Sequence, residues 1–311
     1  TVTLWFPCCL DPGAVYHYNP LDSRMVAKLI EEYKVSIMAA TPTFLRSYMK
    51  RCSVEAMQYM TLVITGAEKL PPELRDAWKE KYGVDIGEGY GTTELSPLAS
   101  VNVPDVRART AGLMKLGTVG KVIPAGEAAV FDADSGERLG PDQEGRLKIK
   151  GPNVMLGYLN LPDKTEEVIQ DGWYDTGDMA KIDPEGFIQI TGRYSRFSKI
   201  GGEMVPHIRV EEEILNLIST GESDDDGDGA NVLCAVTSVP DKSKGERLIV
   251  LHRPLSVSVK EVIDGLSTAG LPNLWIPSAK SFLEVEEIPM LGTGKLDLRG
   301  IKETALEHFG N

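Results

Sequence analysis

Histidine, cysteine and positive charge are the scarce elements of this 311-residue chain. Its four histidines (17, 207, 252 and 308) fall into no metal-ligand spacing such as H-E-x-x-H. Its four cysteines (Cys8, Cys9, Cys52 and Cys234) include no C-x-x-C pair, which leaves free thiols of a reducing compartment as the reading. Lys and Arg number 33 against 46 Asp and Glu, a net charge of −13. The basic footprint of a nucleic-acid polymer binder is therefore missing, and only a local patch such as Arg193, Arg196 and Lys199 could attract an acidic partner. No apolar run approaches the ~18 residues of a membrane span. A basic leader with a small-residue cleavage site is also lacking, so the expected location is cytoplasmic. The chain opens on Thr1-Val2-Thr3-Leu4-Trp5-Phe6-Pro7, inside an apolar run and without an initiator Met. The expectation is an upstream region through which alone any membrane association would come, and an exposed truncated edge that favours dimerisation.

What is present is ordinary globular composition, 42% hydrophobic and 25% charged, which excludes a disordered or collagen-like chain. Residues 1–100 alternate strand and helix patterns. Strands are expected at Ala14–Tyr18, Val35–Ala40, Thr61–Ala67 and Val84–Tyr90. Helices are expected after Asp22, at Pro42–Arg51, and from Pro71 or Pro72 to Tyr82. That spacing predicts a mostly parallel α/β sheet. Residues 101–194 read as short strands between turn signals, a β-rich subdomain. Residues 195–311 read as a small α+β lid. It begins with a hairpin around Gly201-Gly202, followed by a helix after Pro206 with Val210, Ile214, Leu217 and Ile218 on one face. The acidic run Asp224–Gly229 fails as a calcium loop, because Ala235 stands where a bidentate Glu is required, and it reads as a solvated loop.

Three short motifs carry chemistry. Gly89-Tyr90-Gly91-Thr92-Thr93-Glu94 follows a strand. It offers glycines for close backbone approach, an aromatic face, and oxygens suited to phosphate and magnesium. Asp178 can hold a ribose diol, and Arg193 a phosphate or hydroxyl. Lys295 sits on Gly292-Thr293-Gly294, which fails the phosphate-loop spacing because Leu296 replaces the required Ser or Thr. Taken singly, each reads equally well or better as a turn, a surface carboxylate or a surface cation.

Their order is more specific. TGAEKL (65–70), GYGTTE (89–94), GRLKIKGPNVMLGYLN (145–160), WYDTGD (173–178), GRYSRFSKIGGEMV (192–205), LPNLWIP (271–277) and PMLGTGKLD (289–297) resemble, in sequence, the adenylate-forming superfamily of acyl-CoA synthetases, luciferases and peptide-synthetase adenylation domains. GGEMV, LPNLWIP and PMLGTGKLDLR look most like the acyl-carrier-protein synthetase part of bifunctional 2-acylglycerophosphoethanolamine acyltransferases.

The resemblance implies two half-reactions. A fatty acid carboxylate attacks the α-phosphate of ATP, giving acyl-adenylate and releasing pyrophosphate, and a phosphopantetheine thiol of CoA or acyl-carrier protein then attacks the acyl carbon and displaces AMP. It also implies roles. Gly66, Ala67, Glu68, Glu88, Gly89 and Tyr90 line the adenine pocket, with Tyr90 stacked on the base and Ile190 flanking it, and Gly91 and Thr92 also bind the cofactor. Thr93 contacts the α-phosphate, Glu94 holds Mg2+, Asp178 grips the ribose, Arg193 binds ribose or phosphate, and Lys295 bridges carboxylate and α-phosphate. Lys199, Gly201 and Gly202 belong to the hairpin presented to the pantetheine arm after the lid rotates. Ser195 replaces the usual charged hinge residue. The Ser/Thr/Gly-rich loop that cradles the outer phosphates is absent between residues 1 and 65. The expectation is therefore a part of the ligase inactive on its own, with a non-catalytic carrier-protein or AMP-binding module as the alternative.

Overall fold

The computed structural model describes residues 13–15, 17–104, 112–218, 232–291 and 296–310. The acidic run 224–229 and the loop 292–295, with Lys295, lie outside the described residues. The chain forms two compact units, residues 1–191 and 192–311.

The first unit begins with alternating helices and strands. Helix α1 (Ser23–Glu32) starts where Asp22 accepts a hydrogen bond from the Met25 amide at 3.0 Å. Strand β1 (Ile37–Ala40), helix α2 (Pro42–Met49), strand β2 (Leu62–Thr65), helix α3 (Pro72–Tyr82) and strand β3 (Ile86–Tyr90) follow. Strands β1, β2 and β3 run parallel, with Ile37 beside Leu62 and Val63 beside Ile86. Leu45, Val63, Trp78 and Ile86 fill the space between sheet and helices at 1% exposure or less. Burial of such a side chain contributes about 1.5–3 kcal/mol. Two sequence expectations change here. Residues 13–15 and 17–19 form no strand, since no described strand offers them a ladder partner. The expected buried strand at 35–40 is instead the outer strand β1, and Ile37 stays 63% exposed.

Short strands β4 (Ser100–Val101) and β5 (Lys121–Val122) extend that sheet in antiparallel fashion. A second sheet is built from β6 (Glu127–Phe131), β7 (Gly145–Lys150), β9 (Trp173–Ile182) and β10 (Ile188–Arg193) in the order β10-β9-β7-β6, with β8 (Ile169–Gln170) beside β9. Helix α4 (Pro162–Val168), not expected from the turn-rich sequence, precedes β8. Leu147, Ile149, Ala180 and Ile188 close the core of this sheet together with Leu95.

The second unit holds a sheet ordered β12-β11-β14-β13, formed by β11 (Phe197–Ile200), β12 (Glu203–Pro206), β13 (Cys234–Asp241) and β14 (Gly245–His252), with β15 (Phe282–Glu284) parallel to β14. The expected hairpin is there: Gly201 and Gly202 both take positive φ, as a tight two-residue turn requires. Helices α5 (His207–Ile218) and α6 (Val259–Thr268) share one core with the sheet, and α7 (Leu298–Phe309) contributes to another. A capping box at Ser258 and Glu261 starts α6.

Polar groups are buried beneath α5. Ser198 Oγ and His207 Nε2 are 2.6 Å apart, and burial pushes the His207 ring down to about 3. The ring is therefore neutral in the folded unit. As pH falls from about 6.5 toward 3, the unfolded chain takes up a proton that the folded one refuses, so stability present above 6.5 is lost on acidification by about 1.4 kcal/mol per pH unit. His207→Gln is expected to flatten the decline of unfolding free energy between about pH 6.5 and 4, measured by denaturant titration. An unchanged slope would assign the acid sensitivity to other groups.

Candidate functional site

In the first unit a cleft of about 420 Å3 opens at the ends of β1, β2 and β3. Its lining includes the apolar residues Ala39, Ala40, Phe44, Tyr48, Ile64 and Leu98. It also brings together Gly66, Ala67, Gly89, Tyr90 and Gly91 from the two motifs that follow β2 and end β3. Ala67 sits at φ 68°, a conformation that costs a residue with a β-carbon energy and is often held at ligand sites. The hydroxyls of Thr65 and Thr92 are buried and have no hydrogen-bond partner among the described residues. Orphans of this kind cost about 1–3 kcal/mol each, which a polar ligand could recover.

Other expected residues stand around this cleft without lining it. The Glu68 carboxylate accepts hydrogen bonds from the Thr43 amide at 3.2 Å and the Thr43 hydroxyl at 2.7 Å, at the start of α2. Glu88, opposite Thr65 in the ladder, has its carboxyl pushed up by burial, with Arg75 opposing. Thr93 is exposed at the head of a 3-10 turn, Thr93–Leu95, that Leu95 anchors in the core. Ile190, on β10, packs against the core of the second sheet.

Two carboxylates are engaged by tyrosine hydroxyls. Asp178 on β9, 4% exposed, accepts from the Tyr90 hydroxyl. Glu94 accepts from the Tyr158 hydroxyl at 2.8 Å. Tyr90 thus has its ring partly buried against the core around Leu95 and its hydroxyl committed to Asp178. Neither Tyr158 nor Thr43 had an expected role. Tyr158 lay inside a quoted motif, but its reach to Glu94 spans 64 residues, which no local spacing reveals.

Among the described residues no group of three or more His, Cys, Asp and Glu could enclose a metal. Glu94 by itself offers hard oxygen ligands. That fits magnesium, which is commonly held by one or two carboxylates together with substrate phosphates, and does not fit a protein-enclosed cation.

In the second unit, Arg193 is exposed at the end of β10, and Lys199, Gly201 and Gly202 are exposed along the hairpin. The expected basic patch is smaller than the sequence indicated. Arg196 is only 6% exposed and is spent on an ion pair with Glu211.

The chain as a whole has known relatives. The family model described as AMP-binding enzyme matches residues 2–159, and the chain belongs to that family. A long-chain-fatty-acid–CoA ligase of Salmonella typhimurium is 28% identical over 291 residues, which are 92% of this chain and 48% of the relative. ATP-bound MatB from Rhodopseudomonas palustris is 27% identical with a TM-score of 0.70, over 93% of this chain and 54% of that one. The o-succinylbenzoate CoA synthetase MenE of Bacillus subtilis, solved with the acyl-adenylate OSB-AMP, is 26% identical with a TM-score of 0.70, over 90% of this chain and 54% of that one. The chain spans about half the length of the curated relatives it matches.

Proposed function

We propose that this chain is part of an acid–thiol ligase that activates a fatty acid as its acyl-adenylate and passes the acyl group to a phosphopantetheine thiol, on CoA or on acyl-carrier protein. The observation that carries this reading is the cleft at the ends of β1, β2 and β3, whose lining combines the glycine-rich turns after β2 and β3 with the apolar side chains of Phe44, Tyr48, Ile64 and Leu98, a mixture suited to an acyl-adenylate. The similarity to CoA ligases supports it.

In this reading the fatty acid carboxylate, ionised near neutral pH, needs no general base. Its attack on the α-phosphate brings two anions together. Lys295 would place a positive charge where charge builds up, Thr93 would hydrogen-bond the α-phosphate, and Asp178 would orient the ribose. Magnesium, held through Glu94, would neutralise phosphate charge. Residues 195–311 would act as the lid, with Arg193 near the nucleotide and the hairpin of Lys199, Gly201 and Gly202 serving the incoming thiol. The finer likeness to acyl-carrier-protein synthetases makes a carrier protein the first acceptor to test.

The test uses the polypeptide as its gene encodes it in full. Fatty-acid-dependent ATP–pyrophosphate exchange is expected, followed by thioester formation with acyl-carrier protein or CoA. AMP binding without exchange would instead support a non-catalytic binding module, and neither binding nor exchange would remove the adenylate reading.

A further inference from the structure

The segment 151–161 leaves β7 and returns to α4, and it makes four hydrogen bonds to the 94–98 turn, two of them to Glu94. The Met155 amide donates to the Glu94 carbonyl at 2.7 Å. The Asn153 side-chain amide donates to the carbonyls of Leu95 and Leu98 at 3.1 and 2.9 Å. The Tyr158 hydroxyl donates to Glu94 Oε1 at 2.8 Å. The Met155 and Tyr158 bonds hold the backbone and the carboxylate of Glu94, and the Asn153 bonds hold the turn that follows it.

The segment is itself braced. The Tyr158 amide donates to Thr165 Oγ1 at 2.9 Å, and the same hydroxyl donates to the Leu161 carbonyl at 3.0 Å. Gly157 lies at φ 149°, and a β-carbon there would come within 2.9 Å of the Thr165 methyl, so only glycine lets the chain pass this close.

We propose that Tyr158 is a positioning residue for Glu94: by holding Oε1 it limits the orientations in which the carboxylate would meet the cation that accompanies ATP. Loss of such an outer hydrogen bond typically weakens metal affinity roughly 10–100-fold. The proposal rests on the adenylate-forming reading, and its test separates the two.

Tyr158→Phe removes one oxygen and keeps the ring. In the full-length polypeptide, Mn2+ binding in the presence of ATP would be followed by electron paramagnetic resonance, and AMP binding without metal by calorimetry. The expected result is Mn2+ affinity in the ATP complex weakened at least about tenfold, with AMP affinity and melting temperature unchanged. Thr165→Ser, which retains the hydroxyl that braces Tyr158, is expected to behave as wild type. Unchanged Mn2+ affinity in Tyr158→Phe overturns the proposal. An equal loss of AMP and Mn2+ binding overturns it too, because the tyrosine would then be supporting the fold in general. A wild-type protein that binds neither AMP nor ATP defeats the adenylate reading itself, and the positioning role falls with it.

Discussion

Lys295→Ala is expected to cut fatty-acid-dependent ATP–pyrophosphate exchange by roughly 10²–10³-fold while leaving AMP binding nearly intact. The magnitude is that of a single preorganised electrostatic contact made in a transition state. A carboxylate and a triphosphate repel each other on approach, and the repulsion peaks as the new oxygen–phosphorus bond forms. A charge placed there lowers the barrier more than it tightens ground-state binding, so the loss should fall on kcat more than on KM. Lys295→Arg keeps the charge but replaces a compact ammonium with a wide planar fork, so less than full rescue is expected. Measurement of exchange at saturating ATP and fatty acid decides the matter. Full activity in Lys295→Ala would take this lysine out of the reaction.

Arg196→Ala is expected to destabilise the second unit by about 3–5 kcal/mol, the usual cost of stranding one member of a buried ion pair. Arg196 and Glu211 have side chains only 7% and 11% exposed. Glu211 also accepts a hydrogen bond from the Val236 amide, which ties α5 to β13 through the same carboxylate. Burial already pushes the Glu211 carboxyl up, and Arg196 is the largest influence opposing that shift. Without the arginine, Glu211 would have to take up a proton or admit water. Replacing both partners together, Arg196→Met with Glu211→Leu, is expected to recover part of the loss, because no orphaned charge remains although the Val236 amide loses its acceptor. Equilibrium denaturation of the single and double variants gives the comparison. Equal losses in both would mean that the pair's shape, and not its charge, supports the unit.

Elements with strong local signals were legible in the sequence. Asp22 before an amphipathic run marked α1, Pro72 marked α3, and a glycine pair between apolar strands marked the hairpin. Val210, Ile214 and Ile218 fell on the buried face of α5 as their spacing required. The failures came where the deciding interaction was distant. Ala14–Tyr18 has strand composition, but composition cannot provide a ladder partner. Val35–Ala40 reads as buried because its residues are apolar, although its place at the sheet margin is a matter of topology. Arg196 looked like part of a basic surface because Glu211, 15 residues away, gives no sign of pairing in one dimension. The site divides in the same way. The glycine turns at 66 and 89–91 could be picked out as motifs, whereas Thr43 on Glu68 and Tyr158 on Glu94 required the fold.

The two tyrosine–carboxylate contacts also bear on the order of folding. Tyr90 to Asp178 spans 88 residues, and Tyr158 to Glu94 spans 64. Each joins the parallel part of the first sheet, or the turn that leaves it, to a segment grown from the second. Closing loops of that length costs entropy before any contact repays it, so such pairs form late. Helices and hairpins within each sheet can assemble on local information. Ligand-binding competence then arrives only once the two sheets have docked, and it should lag behind secondary structure in a refolding time course. On the proposed function, nucleotide binding would thus distinguish a finished first unit from one that merely has its helices and strands.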